Sequence, residues 1–373
     1  MADPVLTVNV GSSSLKLRVL GEENQVLAKR EEKFAGEKDE LEAELERVLA
    51  EVPEVAAAGH RVVHGGHEFS KPLLIDDEAE AGLEGLADLA PLHNPPALAA
   101  IETLRQLRPR MPSVACFDTA FHATIPAAAS TYAVPPAWSG PIPLRRYGFH
   151  GLSHSYASRR AAELLEREPE DLRLVTAHLG SGASLAAVEG GRSVDTTMGF
   201  TPLDGLVMAT RSGSVDPGLL LWVQRHSGRA ATQMESELDR ESGLLGLSGH
   251  SDLREVIAGA DSGEERCRLA LDVYLHRLTA GVAAMAAAMG GIDALVFTGG
   301  IGEHLGRVRA EACGRLGFLG VDLDPDLNSS ARADAVISPP DAAAGTVVVT
   351  AREDVEIARG VRSALAASAN DPR

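Results

Sequence analysis

Two short turns of glycine and serine constrain this chain more than any other feature. Asn9-Val10-Gly11-Ser12-Ser13-Ser14-Leu15-Lys16 and His178-Leu179-Gly180-Ser181-Gly182-Ala183-Ser184-Leu185 each lie between two apolar runs that read as strands. Glycine lets backbone N–H groups crowd around an anion and serine hydroxyls add further donors, so such a turn can cradle phosphate oxygens. Lys16 adds a point cation to the first copy. Neither turn fits the G-x-x-x-x-G-K-[ST] loop or opens onto a helix, which leaves a strand-turn-strand hairpin used twice. A third glycine run, Thr298-Gly299-Gly300-Ile301-Gly302-Glu303, follows an apolar strand at 294–297 and precedes a predicted helix over about 304–316. A strand that ends in glycines at a helix start suits an anion or a nucleotide.

The 373 residues exceed one comfortable core and fit two domains. A net charge of −18 excludes general nucleic-acid and anionic-membrane binding, since both need basic surfaces. An anionic substrate must therefore meet locally placed arginines. Cys116, Cys267 and Cys313 have neither paired nor metal-like spacing and read as small core residues. Their odd count, with a chain that enters a strand at once without a basic and then apolar leader, predicts a cytoplasmic protein. The longest apolar stretch, 269–289, contains Asp272, His276 and Arg277 and reads as a packed or interface helix, not a membrane span.

The pattern predicts strands over 5–10, 15–20 and 25–33, a charged helix over 37–51, a strand over 57–64, a helix over about 95–107 and a strand over 113–117. The theme then repeats, with strands over 172–177, 184–189 and 192–196, helices, and strands near 294–297 and 347–350. Alternating strands and helices imply sheets covered by helices. Two such units, each opening on a phosphate hairpin, predict a duplicated two-lobed protein that holds a nucleotide in the cleft. The proline-rich segment 132–147 leads from one lobe to the other, and the helix after Glu356 returns to the first.

Five further clusters carry polar residues suited to chemistry: His60-Arg61-Val62-Val63-His64-Gly65-Gly66, Pro91-Leu92-His93-Asn94-Pro95-Pro96, Phe117-Asp118-Thr119-Ala120-Phe121-His122, Arg145 through His154, and Ala209-Thr210-Arg211-Ser212-Gly213-Ser214-Val215-Asp216-Pro217. With the hairpins, they resemble the acetate kinases, a branch of the superfamily of sugar kinases, Hsp70 and actin, over about 5–359. The resemblance implies an α/β fold of two duplicated actin-like (ribonuclease H-like) lobes, each a mixed sheet covered by helices, with an interlobe cleft. It implies a first lobe of 1–148 plus 357–373, and a second lobe of 149–356 for nucleotide binding and dimerisation. The implied reaction is transfer of a phosphoryl group from ATP to acetate, giving acetyl phosphate and ADP, and its reverse. Mg²⁺, or Mn²⁺, is the implied metal and a homodimer the implied assembly.

A carboxylate acceptor is ionised at neutral pH and needs no strong base; the catalyst must instead bring two anions together. Arg61 and Arg211 are the guanidinium candidates, because a planar fork matches a carboxylate or a phosphoryl edge. By resemblance, Arg61 holds the acetate carboxylate, and Arg211 and His150 stabilise the phosphoryl group in flight. Asp118 joins the active site through waters on the metal or by orienting the arginines. Glu353 and Asn9 are the implied metal residues, with Asp354 a second carboxylate next door. Val63, Leu92 and Phe149 form a small pocket for the acetate methyl, with His93 near the substrate. The implied ATP residues are Ser12, Ser14 and Lys16, then His178, Leu179, Gly180, Ser181 and Gly182. Asp252, Leu253 and Arg254 join them, as do Gly300, Ile301, Gly302, Glu303 and His304. His60, His64, His122 and His154 read as structural.

Ser181, His304 and Arg352 stand where the family usually has asparagine, Ala209 where it has glycine and Ser214 where aspartate is common. These changes predict altered nucleotide affinity or preference with catalysis kept. A propionate or butyrate kinase of the same family is the nearer alternative. A non-catalytic actin-like nucleotide-binding protein is the more distant one, against which the joint presence of Arg61, Asp118, His150 and Arg211 argues.

Overall fold

The apolar run Val5–Val10 forms β1, which pairs antiparallel with β2 (Ser14–Leu20), and β2 pairs antiparallel with β3 (Val26–Lys33). On its other side β1 lies parallel to β4 (Ala57–Val62), which lies parallel to β6 (Ser113–Phe117), and the two-residue β5 (Leu73–Leu74) closes the edge. The computed structural model describes residues 3–11, 14–34, 38–52, 54–90, 93–332 and 334–370.

The second sheet repeats this plan. β7 (Arg173–Leu179), β8 (Ala183–Glu189) and β9 (Arg192–Thr196) form the antiparallel meander. β10 (Ala294–Thr298) and β12 (Gly345–Val348) continue it in parallel, with β11 (Ala335–Val336) as the short antiparallel edge. Among the described residues the strand orders are β3-β2-β1-β4-β6-β5 and β9-β8-β7-β10-β12-β11, the same path traced twice. The fold is thus two duplicated actin-like lobes.

Helices cover both sheets. Leu41, Leu45 and Val48 of Lys38–Glu51 and Ala100 and Leu104 of Asn94–Leu107 bury one face of the first sheet. Ile357, Ala358 and Val361 of the C-terminal helix Glu353–Asn370 bury the other. In the second lobe, Gly151–Leu164 covers one face through Ala157 and Ala161, and Glu265–Ala288 covers the other through Ala270, Leu278 and Val282. Tyr156 touches the cores on both sides of the junction. No helix among the described residues is long and apolar enough to cross a membrane.

Several boundaries differ from the sequence reading for physical reasons. The third glycine run precedes the expected helix and is itself helical. Gly299, at φ +77°, turns the chain directly from β10 into the helix Gly299–His304, and a second helix, Gly306–Gly314, follows. The buried Arg309 reaches back to the carbonyls of Gly302 and Glu303, both at 2.8 Å, and closes the end of that first helix. β4 stops at Val62 and not His64, because the backbone of His64 turns to a reciprocal pair of bonds with the Asn94 side chain. β12 lies earlier than expected, and the last helix begins at Glu353, which puts that carboxylate in its first turn.

At Gly59 the last helix packs tightly on the sheet: a Cβ there would meet the Cγ2 methyls of Ile357 and Val361. Gly59→Ala should push the helix away from β4 and destabilise the protein by about 1–3 kcal/mol. A thermal midpoint equal to that of the parent would show that the helix shifts freely.

Candidate active site

Parallel strands β1, β4 and β6 deliver their carboxyl ends to one place, where open α/β sheets bind ligands. Asn9 sits near the end of β1, Arg61 near the end of β4 and Asp118 one residue beyond β6. Arg61 Nε and Nη2 donate to Asp118 Oδ1 and Oδ2 at 3.0 and 2.6 Å, and its Nη1 donates to Asn9 Oδ1 at 3.1 Å. Asn9 Nδ2 in turn donates to Glu353 Oε2 at 2.8 Å. Four segments distant in sequence are thereby tied through one guanidinium.

Burial alone would weaken the Arg61 cation, but Asp118 and Glu353 outweigh it and drive its pKa up. Burial pushes the Asp118 carboxyl up, and the Arg61 fork opposes that push. Glu353 ends below the ordinary carboxylate range: burial raises it, but Arg61, His178, Lys16 and the Asn9 amide prevail. Asp354 lies between two arginines, with Arg18 Nη1 at 3.2 Å and Arg352 Nη2 at 2.9 Å, so Glu353 is the carboxylate left facing Asn9.

The second lobe supplies Arg211. Its Nε donates to Asp239 Oδ1 at 2.7 Å, while Nη2 lies 3.4 Å from His93 Nε2. Asp239 was missed in the sequence. It lies in the helix Ala231–Arg240, whose acidic and basic residues look like an ordinary solvated face, and only the fold brings it to Arg211. Each arginine thus has a carboxylate anchor in its own lobe.

Between them lies His150, in the left-handed region at φ +55° just ahead of the helix Gly151–Leu164. A Cβ on Gly182 would stand 3.3 Å from His150 Nε2 and 3.6 Å from Arg211 Nη1, so the bare glycine leaves open the space that both face. His150 stacks on His178, ring centroids 4.4 Å apart. Burial, reinforced by His178, Arg61, His154 and Arg211, holds His150 well below its ordinary pKa. His93 and His178 are each pushed down to about 4, chiefly by burial.

A cavity of about 650 Å³ opens over this group, lined by Asn9, Ser14, Lys16, Arg61, His150, His178 and Glu353 among others. Gly180, Ser181, Gly300 and His304 line it too and are shared with a second cavity of about 440 Å³ that includes Ile301, Asp252, Leu253 and Arg254. Glu303 lines the first cavity and accepts from Ala351 N–H at 3.0 Å. The Leu179 side chain is wholly in the core, and Gly302 packs against Phe297. Val63 and Phe149 are buried together with Ala90, and Ala90 also lines a cavity of about 310 Å³ beside His93 and Pro202. Ser12 and Leu92 lie outside the described residues.

The oxygens at the Asn9 and Glu353 corner are those of an ionised carboxylate and of a carboxamide whose Oδ1 also accepts from Arg61, without a thiol. That set fits a hard divalent cation that keeps waters and phosphate oxygens as its other ligands. His60 and His122 are buried neutral rings, pushed down to about 3 and about 4 by burial. His122 is bonded to Ser193 and the Phe149 carbonyl, whereas His60 has no side-chain partner among the described residues.

The sequence profile of the acetokinase family matches residues 39–359. An acetate kinase of a Synechococcus strain is 50% identical over 303 residues, 81% of this chain and 75% of its own. One from Deinococcus deserti is 50% identical over 315 residues, 83% and 78% of the two chains. Among solved structures, Porphyromonas gingivalis acetate kinase superposes with a TM-score of 0.89 at 37% identity, covering 98% of this chain and 100% of that one. A propionate kinase from Francisella tularensis also gives 0.89, at 36% identity over 96% and 99%.

The buried rings set a pH dependence. His60, His64, His93, His122 and His178 take protons at about 4 or below when folded, and near 6.5 when unfolded. Unfolding therefore takes up protons between those values, and stability falls as pH drops from about 6.5 toward about 4. Urea midpoints that stay level across that window would contradict the neutral assignment.

Proposed function

The chain belongs to the acetokinase family, phosphotransferases with a carboxyl group as acceptor, and from that premise we propose that it moves the γ-phosphoryl group of ATP to acetate, reversibly, by direct in-line transfer. One observation carries the reading: two guanidinium groups from opposite lobes, each anchored by a carboxylate, stand near one neutral histidine, Arg61 lining a cavity with it and Arg211 lying across Gly182 from it. Both reactants are anions, so the barrier is largely one of charge and position, and fixed cations and donors lower it.

Arg61 meets the acceptor carboxylate with the face left free by Asp118. Arg211 and His150 meet the phosphoryl group. Gly180, Ser181 and Gly182, with Ser14 and Lys16 opposite, support the polyphosphate, and the cavity lined by Asp252, Arg254, Gly300 and His304 takes the nucleoside side. Glu353 and Asn9 would hold Mg²⁺, whose chemistry there is to neutralise phosphate charge and fix the orientation of the polyphosphate. Val63 and Phe149 wall the methyl site. Such a wall separates acyl chains differing by one methylene by only about 1–3 kcal/mol, so propionate is the expected second acceptor. The lobes are taken as 1–148 with 357–373 and as 149–356. Three free, buried cysteines support a cytoplasmic setting.

Trapping of acyl phosphate by hydroxylamine in the presence of ATP, Mg²⁺ and acetate should succeed, and no hydroxamate with any short fatty acid would end the assignment. Arg211→Ala should lower kcat about 10³- to 10⁵-fold with the fold intact, the range for a transition-state arginine in phosphoryl transfer. Turnover within tenfold of the parent would remove Arg211 from its role.

We infer a homodimer, with its contact on the helix Pro217–Ser227. No residue of that helix is buried, and Leu219, Leu221 and Trp222 are each half exposed or more. The alanine-rich helix Glu265–Ala288 turns most of its larger apolar residues to the core, with Leu269 and several alanines left exposed. Trp222→Glu should turn a sedimenting dimer into monomers; an unchanged sedimentation coefficient would move the contact elsewhere.

A further inference from the structure

Behind His150 an unbroken line of hydrogen bonds runs into the core of the second lobe. Thr176 Oγ1 lies 2.7 Å from His154 Nδ1, His154 Nε2 lies 2.7 Å from Ser184 Oγ, and Ser184 Oγ lies 2.9 Å from His150 Nδ1. Thr176, Ser184 and His154 are fully buried, on β7, on β8 and in the helix Gly151–Leu164. His150 and His154 are one helical turn apart, joined by the backbone bond from His154 N–H to His150 C=O at 2.9 Å.

Each short contact must hold one proton, since two lone pairs or two protons facing each other at such distances repel. Burial keeps both rings neutral, so each carries one N–H. Each hydroxyl carries one proton as well. Ser184 meets no acceptor other than the two rings among the described residues, so it accepts from one and donates to the other. The protons can then run only outward or inward.

Inward, His150 Nδ1–H donates to Ser184, Ser184 to His154 Nε2, and His154 Nδ1–H to Thr176. The Thr176 proton must then reach the Ala186 carbonyl at 3.5 Å, the outer limit of a hydrogen bond. Outward, Thr176 O–H donates to His154 Nδ1, His154 Nε2–H to Ser184, and Ser184 O–H to His150 Nδ1. Every link is then 2.9 Å or shorter, and the His150 proton is left on Nε2. That nitrogen faces the space beside Gly182 and Arg211. His178 lies stacked on the ring and takes no proton from its edge.

We propose that Thr176, His154 and Ser184 are positioning residues that lock His150 in the Nε2–H tautomer. His150 is thereby a permanent neutral donor aimed at the phosphoryl position, with no titration needed. The catalytic consequence rests on the function proposed above; the tautomer does not.

The test begins with imidazole ¹⁵N spectra of the histidine-labelled protein, the His150 signals assigned by their loss in His150→Gln. A protonated Nε2 and a bare Nδ1 are expected throughout the neutral range, and a protonated Nδ1 would overturn the relay. Ser184→Ala should mix the His150 tautomers and lower kcat about 10- to 100-fold, as removal of a partner that orients a functional imidazole does, with both KM values held within about twofold. Thr176→Val should act in the same direction, and Thr176→Ser, which keeps the hydroxyl, should restore kcat. Parental kcat and an unchanged spectrum in Ser184→Ala would overturn the proposal. A parent protein that forms no acyl phosphate would instead sink the reaction, while the spectrum would still decide the tautomer.

Discussion

The nearly buried guanidinium of Arg61 organises the rest of the molecule. A charge removed from water is costly unless it is paired and hydrogen-bonded, and breaking one partner leaves the other stranded. Arg61 meets that requirement only when β1, β4, β6 and the last helix are all in register. The parallel pairing of Val8 with His60 brings Asn9 alongside Arg61, and that of Val62 with Phe117 brings Asp118 to the fork. Glu353 then closes the circuit through Asn9, at the first turn of a helix that Gly59 admits close to the sheet. The feature that makes the site chemically able is therefore also a check on correct assembly of the first lobe.

Duplication of the fold did not duplicate the chemistry. The first sheet contributes charge through Lys16 and Arg61, beside Glu353 at the start of the C-terminal helix. The second lobe contributes mostly neutral donors, in the turn Gly180 to Gly182 and the rings of His150 and His178, with Arg211 the cation beside Gly182. Neutral rings suit that position. Protonated histidines packed against Arg61 and Arg211 would repel them, which is part of why those arginines depress the His150 and His93 pKa values. The second lobe can thus crowd donors around an anion without driving its own arginines out.

Much of this was legible in the residues. Strand periodicity and the two glycine-serine turns placed all the long strands to within a few residues, because these signals are local. Arg61, Asp118, His150 and Arg211 stood out through motifs; in the structure Arg61 pairs with Asp118 and lines a cavity with His150, and Arg211 lies across Gly182 from His150. Asp239 carried no signal, since a carboxylate in a polar helix has no local reason to be anything but solvated. The helix Gly299–His304 was hidden for a related reason: three glycines in six residues argue against a helix locally, and the distant Arg309 is what caps it. The apolar residues of Pro217–Ser227 are equally uninformative until their exposure is known.

The positions that depart from the family pattern acquire separate meanings in the fold. Arg352, where asparagine is usual, forks onto Asp354 and reaches the Asn24 carbonyl at the tip of the β2–β3 hairpin. It therefore occupies the Asp354 carboxylate, which also lines the cleft, and pins the hairpin that carries Lys16 to the helix that carries Glu353. Ser181 and His304 act elsewhere. They line both the cleft and the adjoining cavity, where the proposed function runs a polyphosphate tail toward its nucleoside. Substitution at that passage changes how the tail is gripped without touching Arg61, Arg211 or His150. On the proposed function, the donor nucleotide is thus the property most free to vary in this chain, and the acyl chemistry the least.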